Sequence, residues 1–358
     1  MLFFKLLFGA ICLAPIARVL FFRGPLAPPE TAPKGILDMH CHIAGIGAGE
    51  SGNWVSPGLK GSWKFPLYLK IFETSKSELE EHGDHSLAAV IANRIRQSKH
   101  VDDAVILAMD GAHEEDGTLV LDKGELYVPN RFVEAAVRDI PELHFGASVH
   151  PARQDALEEL EWAKAHGAVL LKWLPNIQNI DPSLEAYRPF YEKLVELDLP
   201  LLTHVGAEDS FSKADDRLGD PKLLELPLRC GVRVIAAHVA SSGQNEGEDN
   251  IDRLLEMMPR FPNLVADIST LTQTNRKKHL EKVLTDPRLK GRLMYGTDHP
   301  LTNTPLVSPL QFVLNLKLSE LWEIWRIENP WDRDVRLKAA LGTPSEVFTL
   351  SRSYLGLG

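Results

Sequence analysis

The sequence predicts an α/β chain folded as a (β/α)8 TIM barrel, with an insertion after the first strand and an apolar segment at the N-terminus. Three observations carry that expectation. From Gly35 onward, a short apolar run, a polar loop and a segment of helical period follow one another repeatedly. Eight apolar runs can be counted. The chain of 358 residues is also too long for one minimal domain but suits a single barrel with insertions.

Taken in order, residues 1–23 are almost entirely apolar, interrupted only by Lys5, Arg18 and Arg23. The uncharged stretch Leu6–Ala17 has the length of a signal-peptide core rather than of a full membrane span. No convincing small-residue cleavage site follows it, so an uncleaved membrane anchor is the first expectation and a cleaved export signal the second. Either places the protein at or beyond a membrane, and an unstructured extension on a cytoplasmic protein is the remaining reading. Residues 24–34 form a Pro-rich linker, and residues 35–358 are expected to hold the barrel. The expected strands are Ile36–Ile43, Asp103–Met109, Leu143–Val149, Ala168–Leu174, Leu199–Val205, Val232–Val239, Leu264–Ile268 and Arg292–Tyr295. Between them lie amphipathic stretches at Val133–Arg138, Ala156–Ala165, Leu184–Leu197, Pro221–Cys230, Asp252–Met258 and His279–Leu284. Alternating strands and helices imply a parallel sheet, and near-continuous apolar strands such as Ala168-Val169-Leu170-Leu171 suit a sheet covered on both faces. Gly45–His100 is the long departure, helical over Ser77–Gln97 and placed to cap the barrel mouth. Closing helices are expected over Leu310–Ile327 and Asp332–Leu341.

The net charge of −10 argues against nucleic acid as a partner, because no basic face is available. A small-molecule substrate is expected, and membrane association only through the N-terminus. The sequence does not address oligomeric state. Cys12, Cys41 and Cys230 form no CxxC pair, which excludes a disulfide framework and a thiolate zinc site. Any metal must be held by nitrogen and oxygen.

The polar residues fall where a barrel builds its chemistry. Asp38-Met39-His40-Cys41-His42 ends the first strand, and in extended chain His40 and His42 point the same way. Lys172 ends the fourth strand, His204 the fifth, His238 the sixth and Asp298 the eighth. In a barrel these strand ends converge on one rim. One histidine at a strand end is usually a packed core residue, but five such coincidences point to a metal site. A buried lysine is rare unless paired, which draws Lys172 into the same site. His150 and Arg153, after the third strand, are candidates to touch substrate. Asp267 reads as a loop cap, His82, Asp84 and His85 as a solvated connection, Glu246–Asp249 as a solvated loop, and His299 as an outer-rim residue.

His40-x-His42, Lys172, His204, His238 and Gly-Thr-Asp298-His-Pro, in that order on those strands, resemble the amidohydrolase superfamily, and especially its amidohydrolase-related, decarboxylase-like branch. The resemblance runs from Gly35 to the C-terminus. It implies that His40, His42, His204 and Asp298 bind a divalent metal, zinc first among the candidates. His238 then binds a second metal or positions the reacting oxygen. Lys172 is either a carbamylated bridge between two ions or an ammonium facing an anionic substrate beside one, and one ion is the expectation. The implied activity is hydrolysis of an amide, ester, lactone or similar bond by metal-activated water. Asp298 would serve as the proton acceptor and His238 would steady developing charge. The alternatives are a metal-dependent decarboxylase and a catalytically inert barrel used for binding.

Overall fold

The computed structural model describes residues 21–358. The anchor or signal expected over residues 1–23 therefore lies almost wholly outside the described residues. Among those described, no helix is long and apolar enough to cross a membrane.

Eight parallel strands, paired in chain order, form the barrel: β1 (Ile36–His42), β2 (Val101–Leu107), β3 (Leu143–Ala147), β4 (Leu170–Trp173), β5 (Leu201–Thr203), β6 (Val234–Ala236), β7 (Leu264–Asp267) and β8 (Leu293–Met294). The ring closes where the chain beyond β8 meets the end of β1. There the His42 N–H donates to the His299 carbonyl at 2.9 Å, and the Asp298 N–H donates to the His40 carbonyl at 2.8 Å. Every strand overlaps its expected run. The strand interiors follow period two. Leu37, Met39, Val105, Leu107, Leu170, Leu202, Ile235, Val265 and Met294 fill the barrel, and Leu355 closes its lower end. Ile36, Ala104, Ile106, Leu171, Leu201, Val234 and Leu264 face the helices instead. Each of the Val, Leu, Ile and Met side chains among them contributes roughly 1.5–3 kcal/mol on burial. The barrel is thus a packed core, and polar chemistry can sit only above it.

β1 breaks the alternation. Leu37 and Met39 point inward, so strict period two would send Cys41 inward and His40 outward. A register shift between Asp38 and Cys41 reverses this, placing Cys41 in the outer core while His40 turns toward the axis. A bulge is the economical way to re-aim one side chain without losing the strand. Asp38 pins the bulge from outside. Its buried carboxylate accepts from the Thr297 N–H at 2.9 Å, the Thr297 hydroxyl, the Trp331 indole N–H at 2.7 Å and the His40 N–H at 3.2 Å.

Four expectations need correction. The helical stretch Ser77–Gln97 is two helices, Lys76–His82 and Ser86–Arg96, parted at Gly83 with φ +77° and at Asp84. Asp84 is buried rather than solvated. It gathers the Ile46 N–H at 3.1 Å, the Gly47 N–H at 2.9 Å, the Asn53 amide at 3.0 Å and the Ser51 hydroxyl, so it organises the loop after β1. The tail carries a further helix, Ser345–Tyr354, which packs beside β1 and β8, and the stretch from Leu310 becomes α-helical only over Leu318–Trp325, after a short 3-10 turn at Pro309–Phe312. The Pro-rich linker is docked as well. The N–H groups of Leu26 and Ala27 donate to the Leu341 carbonyl at 3.1 and 3.2 Å, and Gly342, at φ +101°, leaves no room for a Cβ against Ala27.

Those docked hydrogen bonds contribute about 1 kcal/mol each at most. A chain beginning at Lys34 should therefore fold as the full chain does and melt a few degrees lower. Thermal melts of the two chains check this. An unchanged midpoint would mean that the docked segment adds nothing, and aggregation would mean that the barrel core needs it.

Candidate metal centre

β1 supplies His40 and His42, β4 supplies Lys172, and the segments following β5, β6 and β8 supply His204, His238 and Asp298. All six are buried except His42, which is 18% exposed at its side chain. His40 Nε2 and His42 Nε2 lie 3.2 Å apart, and Asp298 Oδ1 is 3.3 Å from the first and 3.2 Å from the second. Ligands about 2.0–2.1 Å from a tetrahedral ion sit about 3.3 Å from one another, so this triangle has the edge length of a coordination face. Lys172 Nζ stands 2.8 Å from His40 Nε2. The His204 and His238 rings meet edge to face at 5.3 Å, and His238 Nε2 is 3.7 Å from Asp298 Oδ2. His204 Nε2 is buried and has no hydrogen-bond partner among the described residues. A buried nitrogen lone pair left unpaired costs free energy, and a cation would satisfy it.

Local backbone geometry serves these positions. His238, Val239 and Ala240 adopt φ of +57°, +51° and +50°, and Asp298 adopts +59°. Left-handed backbone costs non-glycine residues about 1–3 kcal/mol each, so the surroundings must hold it. The His238 N–H donates to Asp267 Oδ1 at 2.9 Å, and its carbonyl accepts from the Ser241 N–H at 3.0 Å. Gly296 is required by proximity, since a Cβ there would stand 2.7 Å from His40 Cβ.

Burial dominates the electrostatics. It lowers His42 to about 4 and His204 to about 3, so both are neutral imidazoles at pH 7 and ready as ligands. Lys172 is lowered by burial to about 8, against the pull of Asp298, Asp267 and Glu208. Burial pushes Asp298 upward, but His40, His238 and a hydrogen bond from His42 outweigh it and hold the carboxylate ionised.

Asp267 does more than cap a loop. Its Oδ2 is 2.8 Å from His40 Nδ1, which turns Nε2 toward the centre, while Oδ1 accepts from the Ser269 N–H at 3.0 Å. His40, His238 and Asp267 also form a grouping close enough to hold an ion, but the 2.8 Å contact reads more simply as the hydrogen bond that orients His40. Ser269 Oγ lies 2.8 Å from His238 Nδ1. The position of Asp267 at the end of β7 was the available signal for its role, as it was for the other strand-end residues. Arg276, buried, and Glu208, part-buried, both sit in loops and gave no such signal.

His150 and Arg153 do not join this group. Both His150 ring nitrogens meet backbone, Nε2 the Gln178 carbonyl at 3.0 Å and Nδ1 the Ala152 N–H at 3.1 Å. Arg153 pairs with Asp155 at 2.8 Å and Asp110 at 3.2 Å, so its charge is already answered by carboxylates of the protein. His299 is a further correction. It is buried and stacked on Trp331 at 4.8 Å rather than facing the outer rim. The Glu246–Asp249 loop folds into a small hairpin, and Glu246 and Glu248 both reach Arg253 at 3.0 Å.

The family described as Amidohydrolase matches residues 37–350. The chain is similar in structure to an uncharacterised TIM-barrel protein of Bordetella bronchiseptica, with a TM-score of 0.51 and 14% identity over 86% of this chain and 99% of that one. Looser likenesses are to a dihydroorotase of Campylobacter jejuni, with a TM-score of 0.44 and 14% identity over 92% of this chain and 85% of that one. Another is to the apo form of IDCase from Metarhizium anisopliae, with a TM-score of 0.46 and 11% identity over 90% of this chain and 97% of that one. A comparison with curated proteins gives no match.

Burial lowers His150 to about 3. The folded chain therefore refuses a proton that the unfolded chain accepts near 6.5, and this part of the stability is full above that pH and drains away as pH falls toward 3. His150→Gln should flatten the fall in stability between pH 6.5 and 5 by on the order of 1 kcal/mol per pH unit. Urea unfolding of metal-free protein at several pH values measures it. Parallel pH dependences for the variant and the parent would show that His150 is not held neutral.

Proposed function

The chain belongs to the amidohydrolase family of metal-dependent hydrolases, and on that footing we propose that His40, His42, His204 and Asp298 hold one divalent ion, zinc first among candidates, for hydrolysis of an amide, ester, lactone or similar bond. The observation that carries the reading is the 3.2–3.3 Å triangle of His40 Nε2, His42 Nε2 and Asp298 Oδ1. The buried His204 Nε2, which has no hydrogen-bond partner among the described residues and lies outside the close grouping of the other three, is the fourth donor in this reading. When bound, the ion supplies Lewis acidity and brings the pKa of water toward about 7.

The chain's own residues divide the remaining work. Asp298 turns Oδ1 to His40 and His42, which leaves Oδ2, 3.7 Å from His238 Nε2, to take up a proton. His238 is held at Nδ1 by the hydroxyls of Ser269 at 2.8 Å and Thr270 at 3.1 Å, so Nε2 is free to steady negative charge on a reacting oxygen. Asp267 keeps His40 in one orientation. Lys172 stands in the donor cage, where an ammonium would attract an anionic substrate and a carbamate would bridge a second ion. Bicarbonate-dependent metal loading that is lost in Lys172→Ala would favour the bridge. The apolar segment ahead of Gly24 remains a tether or export signal outside the chemistry.

Elemental analysis should find about one equivalent of metal in the purified protein and at least tenfold weaker retention in His40→Ala and His42→Ala. Full occupancy in both variants would remove the proposed centre. Asp298→Asn should lower turnover of a cleaved substrate by about 10²–10⁴-fold, more than it perturbs folding. Near-parental turnover would strip Asp298 of its role. Metal-loaded protein offered esters, lactones, amides and aromatic carboxylates in parallel should hydrolyse rather than release carbon dioxide, and carbon dioxide release alone would make it a lyase.

A further inference from the structure

Arg276 lies in the loop after β7 and is only 7% exposed. Its Nη1 donates to the Ser241 hydroxyl at 3.2 Å, and the Ser241 N–H donates in turn to the His238 carbonyl at 3.0 Å. The guanidinium is thereby tied to the rim segment that carries His238. After burial itself, Arg276 is the largest influence keeping protons off His204 and His238, so its charge falls on the metal centre. Yet neither Nε nor Nη2 has a hydrogen-bond partner among the described residues, and no carboxylate there is in ion-pair contact with it. Glu208 and Asp298 are its strongest acidic influences, but both are engaged elsewhere. Glu208 accepts from the Ser210 N–H at 2.6 Å and faces His204 at 3.5 Å, and Asp298 serves His40 and His42. Nε and Nη2 are not among the side-chain atoms shut off from solvent, so this edge of a largely buried guanidinium stands open to an anion that arrives from outside.

The unused edge has a definite shape. Nε–H and the neighbouring Nη2–H form the side-on fork that grips both oxygens of a carboxylate. This chain uses that fork repeatedly. Arg96 holds Glu142 through Nε and Nη2 at 2.6 and 2.8 Å, Arg253 holds Asp220 at 2.9 and 2.6 Å, and Arg217 holds Asp215 at 2.9 and 2.6 Å. In Arg276 the same edge is the one without a protein partner. We infer that Arg276 takes a carboxylate of the substrate through Nε and Nη2, so that the hydrolysed bond lies in a molecule carrying an acid group beside it. The inference rests on the proposed hydrolase reading and narrows its substrate class.

The test compares two probes that differ in one group, succinic acid monohydroxamate and its methyl ester, titrated calorimetrically into metal-loaded protein. The hydroxamate anchors both on the ion, and only the first presents a carboxylate. The acid should bind roughly ten- to a hundredfold more tightly than the ester. Arg276→Met should erase that preference, and Arg276→Lys should keep part of it, with acetohydroxamate titrated into each variant as its own reference for the changed charge at the centre. Acetohydroxamate also reports whether the variants are folded and loaded. Should Arg276→Met fail to fold, Ser241→Ala, which frees the guanidinium from its anchor, should weaken the preference instead. If no hydroxamate binds at all, the metal reading has failed separately, and glutarate against dimethyl glutarate on metal-free protein carries the same comparison. No preference for the acid in the parent, or a preference that survives Arg276→Met, overturns the inference.

Discussion

The carboxylate of Asp38 holds together what the rest of the structure needs. It is buried at the seam where β1 meets the chain beyond β8, and it accepts four hydrogen bonds from three residues, Thr297, Trp331 and His40. Burial raises its pKa, and the donors from Thr297 and Trp331 work against that rise. The seam is also where the ring closes, through the backbone bonds linking His40 and His42 to Asp298 and His299. One anchored carboxylate therefore closes the barrel, stabilises the bulge that turns His40 inward and brings Asp298 against both histidines of β1. Breaking a buried, multiply bonded group of this kind is expensive because its partners are left unsatisfied as well.

Above that seam the centre is arranged by a contrast of environments. The barrel below is filled with aliphatic side chains, so the polar groups on its rim are held in a medium that disfavours charge. That medium keeps the imidazoles of His42, His204 and His238 neutral, which is the state a metal requires of them. It also makes every unmatched charge or lone pair informative. Among the described residues, His204 Nε2 and the free edge of Arg276 are two such groups beside the centre, one suited to a cation and the other to an anion. A substrate whose acid group meets Arg276 while its reacting bond meets the metal would be oriented at two points. Two-point binding of this kind converts affinity into alignment of the reacting atoms.

The strained backbone fits the same economy. His238 and Asp298 both sit in left-handed conformations, and each is held by a hydrogen bond from its N–H to the neighbouring strand. Asp267 takes part twice, orienting the His40 ring and fixing the His238 N–H. The free energy spent on these conformations is offset by the packing below, and what it secures is the direction of two side chains.

The order of strands and helices was legible in the sequence because period two and period 3.6 are local properties of a chain with one dominant core. The strand-end positions of His40, His42, Lys172, His204, His238 and Asp298 were legible for the same reason: a polar residue at the end of an apolar run is visible without knowing its neighbours. Asp267 stood at such an end too, but a carboxylate beside a turn has a commonplace local use, and only its contact with His40 distinguishes it. His150 occupied an equivalent position, and its two backbone partners, which no local pattern encodes, took it out of the cluster. Arg276, Glu208 and Asp84 come from loops, where spacing carries no direction. Their burial and partners follow from which loops meet over the barrel, a matter of contacts far apart in sequence. Local periodicity thus determined the barrel and most of its rim, whereas the tertiary structure alone decided which charges were paired, because pairing depends on distances between chain segments that period and composition do not contain.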